Sequence, residues 1–167
     1  MAILSQGAAS LLLPAGAEPA MYELETVAPG CPCCSGQLPF RVGLTRLLRR
    51  LHARPMRARL LIEAGADGHV ESVKAALRRP PFAQLLSLAG TLAVVDLSAF
   101  AALADAGRVR VAEMCAAADR VLVNRAEQAP GAALMQLTQL CCAIDPAPPI
   151  SISGCDAIAL DWPGDAA

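Results

Sequence analysis

The sequence predicts a three-layer α/β fold with a mostly parallel sheet. Short apolar runs rich in Leu, Ile and Val recur along the 167 residues, helical patterns separate them, and polar residues follow several runs. Continuous apolar strands that alternate with helices are typical of a parallel sheet covered on both faces. The length is that of one domain with its own core, so we expect 1–167 to form a single domain.

The first half of the chain supplies three predicted strands and one long helix. Residues 1–5 are a short apolar segment, residues 22–27 alternate in polarity, and residues 59–63 form a buried strand that ends in Glu63. Between the last two, residues 38–52 place leucines on one helical face and arginines on the opposite one. We expect this helix to pack its leucines inward.

The second half continues the alternation. Its predicted elements are, in chain order, helices over 70–79 and 82–88, a strand over 91–96, a helix that breaks near Gly107 and ends at 118, a strand over 120–124, a helix over 131–142, a proline-rich link and a last strand near 157–160. Ser98 is the expected N-cap of the broken helix. Glu63, Asp96 and Asn124 stand at predicted carboxyl ends, where parallel sheets bind ligands, although each alone could simply cap a loop.

Composition excludes some function classes. Only 3% of the residues are aromatic, which argues against a protein that stacks nucleic-acid bases on aromatic rings. The formal net charge of −1 hides a local excess, because seven arginines and no acid lie within residues 41–59. These arginines form either a solvated helix face with a basic loop or a surface for a phosphate or an acidic partner.

The sequence indicates a soluble, cytoplasmic protein. Asp96 interrupts the longest apolar stretch, residues 85–100, so no run approaches the ~20 residues that cross a bilayer. The N-terminus has no basic region before its apolar residues. Seven cysteines, three of them clustered, fit a reducing compartment better than a disulfide framework.

The clustered cysteines are Cys31, Cys33 and Cys34, framed by Gly30 and Gly36. Three thiolates at this spacing can hold one soft cation such as Zn²⁺ or Cu⁺, and glycines let the loop curl around it. Two alternatives remain open from spacing alone. Cys31 and Cys34 form a Cys-x-x-Cys pair that could act as a redox couple, or the thiols could be inert.

Four segments carry a family resemblance. Residues 30–48 read Gly-Cys-Pro-Cys-Cys followed by the leucine and arginine helix; residues 60–69 read Leu-Leu-Ile-Glu-Ala-Gly-Ala-Asp-Gly-His; residues 91–96 read Thr-Leu-Ala-Val-Val-Asp; residues 118–127 read Ala-Asp-Arg-Val-Leu-Val-Asn-Arg-Ala-Glu. In this order they resemble motifs of the CobW-like metallochaperone GTPases, relatives of the HypB and UreG nickel-insertion GTPases. The resemblance covers about residues 22–127. It implies an α/β domain like that of the P-loop NTPases, of the SIMIBI type, which couples GTP binding to metal delivery.

The resemblance also implies a set of site residues. Cys31, Cys33 and Cys34 would hold the metal, commonly zinc. Glu63 would lie near Mg²⁺ and the γ-phosphate of GTP. The guanine base would be contacted by Asn124, by Arg125 in place of a lysine and by Glu127 in place of an aspartate.

The departures from the family pattern concern the phosphate site. The chain has no Gly-x-x-x-x-Gly-Lys-Ser/Thr loop, and its single lysine, Lys74, follows no such glycines. Residues 1–5 resemble the family's second strand, so the first βα unit is missing from this sequence, as is the C-terminal domain common in the family. Either the sequence begins downstream of the true start, or residues 1–5 replace the lost strand, or a partner completes the fold. Without these phosphate ligands we predict no useful GTP hydrolysis.

Three functions from different classes follow. The first is a CobW-like metal-binding protein, with zinc as the expected metal, that passes the metal to a client protein. The second is a non-catalytic pseudo-GTPase module that docks on a GTPase or a metalloenzyme, and a thiol-disulfide oxidoreductase is a third. A homo-oligomer is also compatible with the sequence, whereas nucleic-acid and membrane partners are not expected.

The other cysteines and His52 are not expected to take part in the site, whereas His69 is a candidate. Cys115, Cys141, Cys142 and Cys155 are expected to pack in apolar surroundings. His52 is expected to be solvated. His69 aligns with a histidine of the resembled family and is therefore a weaker candidate for the site.

Overall fold

The computed structural model describes residues 2–5, 23–28, 35–52, 59–64 and 70–153. They divide into two compact units, residues 1–85 and residues 86–167, here called the N-terminal and C-terminal units. Each unit has its own three-stranded sheet, and all strand pairs in both sheets are parallel. Parallel sheets with helices packed against them confirm the predicted α/β class.

The N-terminal sheet has the strand order β2-β1-β3. Its strands are β1 (Ala2–Ser5), β2 (Glu23–Thr26) and β3 (Leu60–Glu63). Every residue of the central strand β1 is buried, whereas β2 and β3 alternate between half-buried and exposed residues. The segments predicted as strands over 1–5, 22–27 and 59–63 therefore form strands, with ends shifted by about one residue.

Helix α1 (Gln37–His52) packs on one face of this sheet. Phe40, Leu44 and Leu47 are buried, as the leucine pattern predicts. The close approach depends on Gly43, because a Cβ atom built there would lie 2.1 Å from Cγ1 of Val27 and 3.4 Å from Cδ1 of Leu4. Glycine is required here for contact between the helix and the sheet.

The remaining helices of the N-terminal unit are shorter than predicted. Helix α2 spans Val70–Leu77, and the segment predicted as a helix over 82–88 is a 3-10 turn, Phe82–Gln84. The prolines at 80 and 81 cannot donate backbone hydrogen bonds, which ends the helical pattern before 79. The buried Phe82 ring faces α1, with the Arg41 guanidinium 5.9 Å from its centre.

The C-terminal sheet has the strand order β4-β5-β6. Its strands are β4 (Leu92–Asp96), β5 (Arg120–Asn124) and β6 (Ile150–Ile152). Strand β6 lies in the segment predicted to be a proline-rich link. As an edge strand it tolerates neighbouring prolines, and the Pro149 carbonyl accepts the Val121 amide at 3.0 Å. The strand predicted near 157–160 lies outside the described residues.

Three helices pack against β4 and β5. They are α3 (Leu97–Ala101), α4 (Asp105–Ala116) and α5 (Gly131–Cys142). The core between them contains Phe100, Val121, Val123 and Leu137, each at most 2% exposed. Helix α5 starts and ends where the sequence predicts.

Two predictions about α3 and α4 are wrong. The N-cap is Asp96 instead of Ser98, because the Asp96 carboxylate accepts the Ala99 amide at 3.1 Å. The break between the helices falls at residues 102–104, and Gly107 lies inside α4. Its neighbour Leu103 leaves so little room that a Cβ at 107 would lie 2.9 Å from Cδ2 of Leu103. Gly107 therefore permits packing and does not end the helix.

Among the helices in these described ranges, none is both long and apolar enough to cross a lipid bilayer.

Candidate functional site

The carboxyl edge of the N-terminal sheet holds a hydroxyl and a carboxylate. Ser5 and Glu63 are register partners at the ends of β1 and β3, and the Ser5 hydroxyl donates to Oε2 of Glu63. Ser5 is 1% exposed, whereas Glu63 reaches solvent. A carboxylate fixed through one oxygen keeps lone pairs for an oxygen-seeking cation such as Mg²⁺. Glu63 therefore has a donor chemistry that fits the predicted magnesium role.

In the sequence, the cysteine loop falls between β2 and α1. The Val27 amide donates to the Ser5 carbonyl at 2.9 Å, so the chain leaves β2 beside the carboxyl end of β1. The chain is described again from Ser35 into α1. The predicted metal ligands Cys31, Cys33 and Cys34 fall between these points and lie outside the described residues, as does His69. Elsewhere, in the part that the structure describes, no three Cys, His, Asp or Glu residues are grouped to hold a metal.

The carboxyl edge of the C-terminal sheet carries the predicted base-contacting segment. Asn124 ends β5, opposite Asp96 at the end of β4. Its Oδ1 accepts the Arg125 amide at 2.9 Å and lies 3.4 Å from the Ser153 hydroxyl, just beyond β6. Hydrogen bonds of this kind fix the orientation of the amide at the strand end.

Arg125 has a left-handed backbone conformation, with φ 55°, and its side chain turns toward β4. Its Nη1 lies 2.9 Å from Oδ2 of Asp96. The other oxygen of Asp96 accepts the Ser98 hydroxyl at 2.7 Å and the Ala99 amide. These interactions, with the Ser98 hydroxyl first, lower the pKa of the Asp96 carboxyl, and the Arg125 charge adds to the effect. The Asp96 carboxylate therefore joins β4, α3 and the residue after β5.

Glu127 lies in a 3-10 turn, Ala126–Gln128, directly after Arg125. Its Oε1 accepts a hydrogen bond from Nε2 of Gln128 at 3.1 Å. Asn124, Arg125 and Glu127 thus share one sheet edge, as predicted, but the Arg125 cation is already paired with Asp96. Glu63 belongs to the other unit.

Sequence reasoning missed two residues at these edges. Ser5 holds the carboxylate of Glu63, and Ser153 lies beside the amide of Asn124. The sequence pattern that could identify such residues is a serine at or just after the end of a short apolar run, as in Ile3-Leu4-Ser5. It is weak because serine occurs equally at unremarkable loop starts.

Two thiols of the C-terminal unit, Cys115 and Cys141, have a structural role. Cys115 and Cys141 are buried between α4 and α5, as predicted, whereas Cys142 is exposed and Cys155 lies outside the described residues. Burial raises the pKa of the Cys115 thiol to about 12, and the neighbouring Cys141 adds to the rise. Burial also raises the pKa of Cys141. A thiol that resists ionisation is a poor nucleophile and a poor metal ligand.

The order of these motifs along the chain agrees with a family model. Residues 8–151 match the model of the CobW/HypB/UreG nucleotide-binding domain. The chain belongs to this family. The CobW-type match includes the cysteine loop, Glu63 and the segment from Asn124 to Glu127.

A CobW-type relative among curated proteins is the zinc chaperone YeiR of Escherichia coli (strain K12). The two are 31% identical over 105 residues, which is 63% of this chain and 31% of YeiR. The chain thus spans about a third of the length of that relative. No solved structure matches this CobW-family chain.

Proposed function

We propose that this CobW-family chain binds a metal, zinc by preference, through Cys31, Cys33 and Cys34 and passes it to a client protein in the cytoplasm. The observation that carries the proposal is the Cys-x-Cys-Cys loop inside the family match, between β2 and α1. Support for zinc comes from its preference for thiolate ligands and from the similarity of the chain to YeiR, a zinc chaperone. Three ligands leave one coordination position for a client to enter.

The GTP site of this chain is proposed to be degenerate. The sequence has no phosphate-binding loop with its lysine and magnesium hydroxyl, which supply most of the charge stabilisation in phosphoryl transfer. At the base-contacting segment the Arg125 guanidinium is engaged by Asp96, 2.9 Å away. Asn124 and Glu127 remain at the edge as groups that could contact guanine, and Glu63 as a group that could contact Mg²⁺.

A zinc titration tests the metal proposal. We expect one equivalent of Zn²⁺ per chain, and we expect Co²⁺ substitution to give the absorption of thiolate coordination. The variant with Cys31, Cys33 and Cys34 changed to Ser should lose this binding, whereas Cys142→Ser should keep it because Cys142 is a single exposed thiol on α5. Unchanged stoichiometry in the triple variant would refute the proposal and favour the alternative, a docking module without metal.

A nucleotide assay tests the second half of the proposal. Purified protein should not accelerate magnesium-dependent GTP hydrolysis above the background of a mock preparation. The control is Glu63→Gln, which removes the carboxylate expected near Mg²⁺. If the wild-type chain turns over GTP and this variant does not, the GTP site is functional and the proposal of a degenerate site is wrong.

A further inference from the structure

The outward face of α1 combines apolar and cationic side chains. Leu38 is 72% exposed and Val42, one turn later, is 39% exposed. Residues four apart lie on the same helical face, so the two form one apolar strip. A single exposed leucine needs no explanation, but here arginines surround the strip. The face is therefore neither a plain solvated surface nor a plain apolar one.

These side chains, all from α1, border a shallow and open depression of about 330 Å³, here called the arginine groove. Its lining residues are Leu38, Arg41, Val42, Thr45, Arg46 and Arg49. None of them is acidic, and the whole of α1 contains no Asp or Glu. Three guanidinium groups around one groove create a positive potential that attracts anionic groups.

The arginines of α1 divide into two sets with different roles. Arg50, on the inner side, is neutralised by Glu23 and Glu25 of β2, at 3.2 and 2.8 Å. Arg46 in the groove is 68% exposed and lies only at the limit of an ion pair with Glu25, 4.0 Å away. Arg41 stacks over the Phe82 ring, which holds the side chain at the rim without cancelling its charge. Among the residues that the structure describes, acidic side chains thus compensate the positive charge of the groove only in part.

We propose that the arginine groove is a docking site for an acidic segment of the client protein, with an apolar side chain of that segment packed against Leu38 and Val42. The inference rests on the proposed metal-delivery function, because the partner that would dock here is the client protein of that function. Guanidinium groups bind carboxylates in a planar, two-bond geometry and are enriched at protein interfaces. A small phosphate ligand would make no use of the apolar strip.

The position of the groove suits delivery of a metal. Helix α1 begins at Gln37, and Leu38 follows Cys34 by four residues in the sequence. A client segment held along α1 would be tethered next to the cysteine loop in the chain. Local concentration of client ligands near the thiolates favours exchange of the metal into the client.

Peptide binding to the zinc-free chain tests the proposal. The probe is a fluorescein-labelled amphipathic peptide with glutamates and leucines at helical spacing and without Cys or His, measured by fluorescence anisotropy. The matched peptide carries Lys in place of every Glu. We expect saturable binding of the acidic peptide, weakened about tenfold or more by the pair Arg41→Glu and Arg49→Glu. We also expect Leu38→Ser to weaken it severalfold.

Two matched controls separate the groove from general electrostatics. Arg78→Glu with Arg79→Glu makes the same change of charge at exposed positions after α2, and Leu85→Ser removes an exposed leucine outside the groove. Both should leave affinity within about twofold of wild type. Equal weakening by the control pair would overturn the proposal. So would equal binding of the Lys peptide, or full competition by inorganic phosphate with no effect of Leu38→Ser.

The peptide measurement is independent of the zinc titration, because the assay contains no metal and the peptide has no Cys or His. Loss of zinc binding in the cysteine variant with intact peptide docking supports both proposals. Zinc binding without peptide docking would refute the proposed docking site and leave the metal-binding proposal unaffected. Peptide docking without zinc binding would refute the metal-binding proposal and would still support binding of an acidic segment at the arginine groove.

Discussion

The Ser5 hydroxyl donates to the Glu63 carboxylate, joining the ends of β1 and β3 across 58 residues of sequence. Ser5 is the single polar residue among the fully buried ones that the structure describes. The bond therefore satisfies a buried hydroxyl and at the same time orients the carboxylate proposed to lie near Mg²⁺.

We expect Ser5→Ala to lower the free energy of unfolding by roughly 1 kcal/mol, the usual net value of such a hydrogen bond. A double-mutant cycle with Glu63→Gln, followed by urea denaturation, measures the coupling between the two side chains. A coupling near zero would show that the two groups do not interact in solution.

The Asp96 carboxylate is predicted to stabilise the C-terminal unit above acidic pH. The pKa of Asp96 is lowered in the folded state. The ionised carboxylate therefore contributes to the free energy of unfolding above the ordinary Asp pKa of about 4, and this contribution is lost as pH falls through the folded pKa. Asp96→Ala should lower Tm by a few degrees at pH 7, because it removes the cap of α3 and the partner of Arg125. Thermal unfolding followed by circular dichroism from pH 7 to pH 3 should show the difference shrinking with acid.

The control for Asp96 is Glu113→Ala, which removes an exposed acid from α4. It should leave Tm nearly unchanged across the same pH range. If both variants lose stability equally, the effect comes from net charge and not from the interactions of Asp96.

The buried Cys115 thiol should make the C-terminal unit sensitive to alkali. Its pKa rises to about 12 in the folded state, so its stabilising effect is complete below the ordinary thiol pKa and is lost as pH rises above that value. Between the ordinary thiol pKa and the folded value, ionisation of Cys115 should lower the free energy of unfolding of the wild type by at most about 1.4 kcal/mol per pH unit. Cys115→Ala should be less stable at pH 7 but should lose less on going to pH 11, as measured by urea denaturation.

Cys142→Ala is the matched control for alkaline unfolding, since Cys142 is exposed on the same helix as Cys141. It should follow the wild-type pH profile, because removing an exposed side chain leaves the buried thiols unchanged. Identical alkaline profiles for Cys115→Ala and wild type would contradict the assignment.

Thiol accessibility gives an independent prediction. A short pulse of N-ethylmaleimide followed by peptide mapping should label Cys142 quickly and Cys115 and Cys141 only after unfolding. Rapid labelling of Cys115 in the native state would mean that α4 and α5 separate easily, a form of local opening.

Gly43→Ala should destabilise the N-terminal unit by about 1–3 kcal/mol, because the added methyl group overlaps the Val27 side chain. In an exposed helix the same change would stabilise by about 1 kcal/mol. The second substitution Val27→Ala makes room and should rescue much of the loss. Urea denaturation of the two single variants and the pair measures this, and the absence of rescue would show that the clash lies elsewhere.

Much of the fold follows from the sequence because parallel strands are continuous apolar runs. The runs ending in Glu63, Asp96 and Asn124 form strands at the predicted places. Strand β6 was not predicted, since three residues beside prolines carry no measurable periodicity. The choice of Asp96 over Ser98 as the cap also escaped prediction, because both are capping residues and the pairing of β4 with β5 decides between them.

The partners of the site residues could not be predicted from spacing. The pattern places Glu63 and Arg125 near strand ends, but strand order determines that they meet Ser5 and Asp96. The arginine face of α1 was predicted as one surface, whereas Arg50 turns to the glutamates of β2. The metal-ligand role of the cysteine loop stays a prediction, because its residues lie outside the described part of the chain.

The central position of β1 has a consequence for how the chain reaches its native state. During synthesis β1 is made before both of its neighbours, and the end of β3 follows the end of β1 by 58 residues. Every strand pair in the described parts of both units is parallel and needs a long loop to close before its hydrogen bonds form. Such contacts favour slow folding. Strand β1 thus completes its pairing only after the 58 residues up to the end of β3 have been made, so late completion of this sheet is a property of its topology.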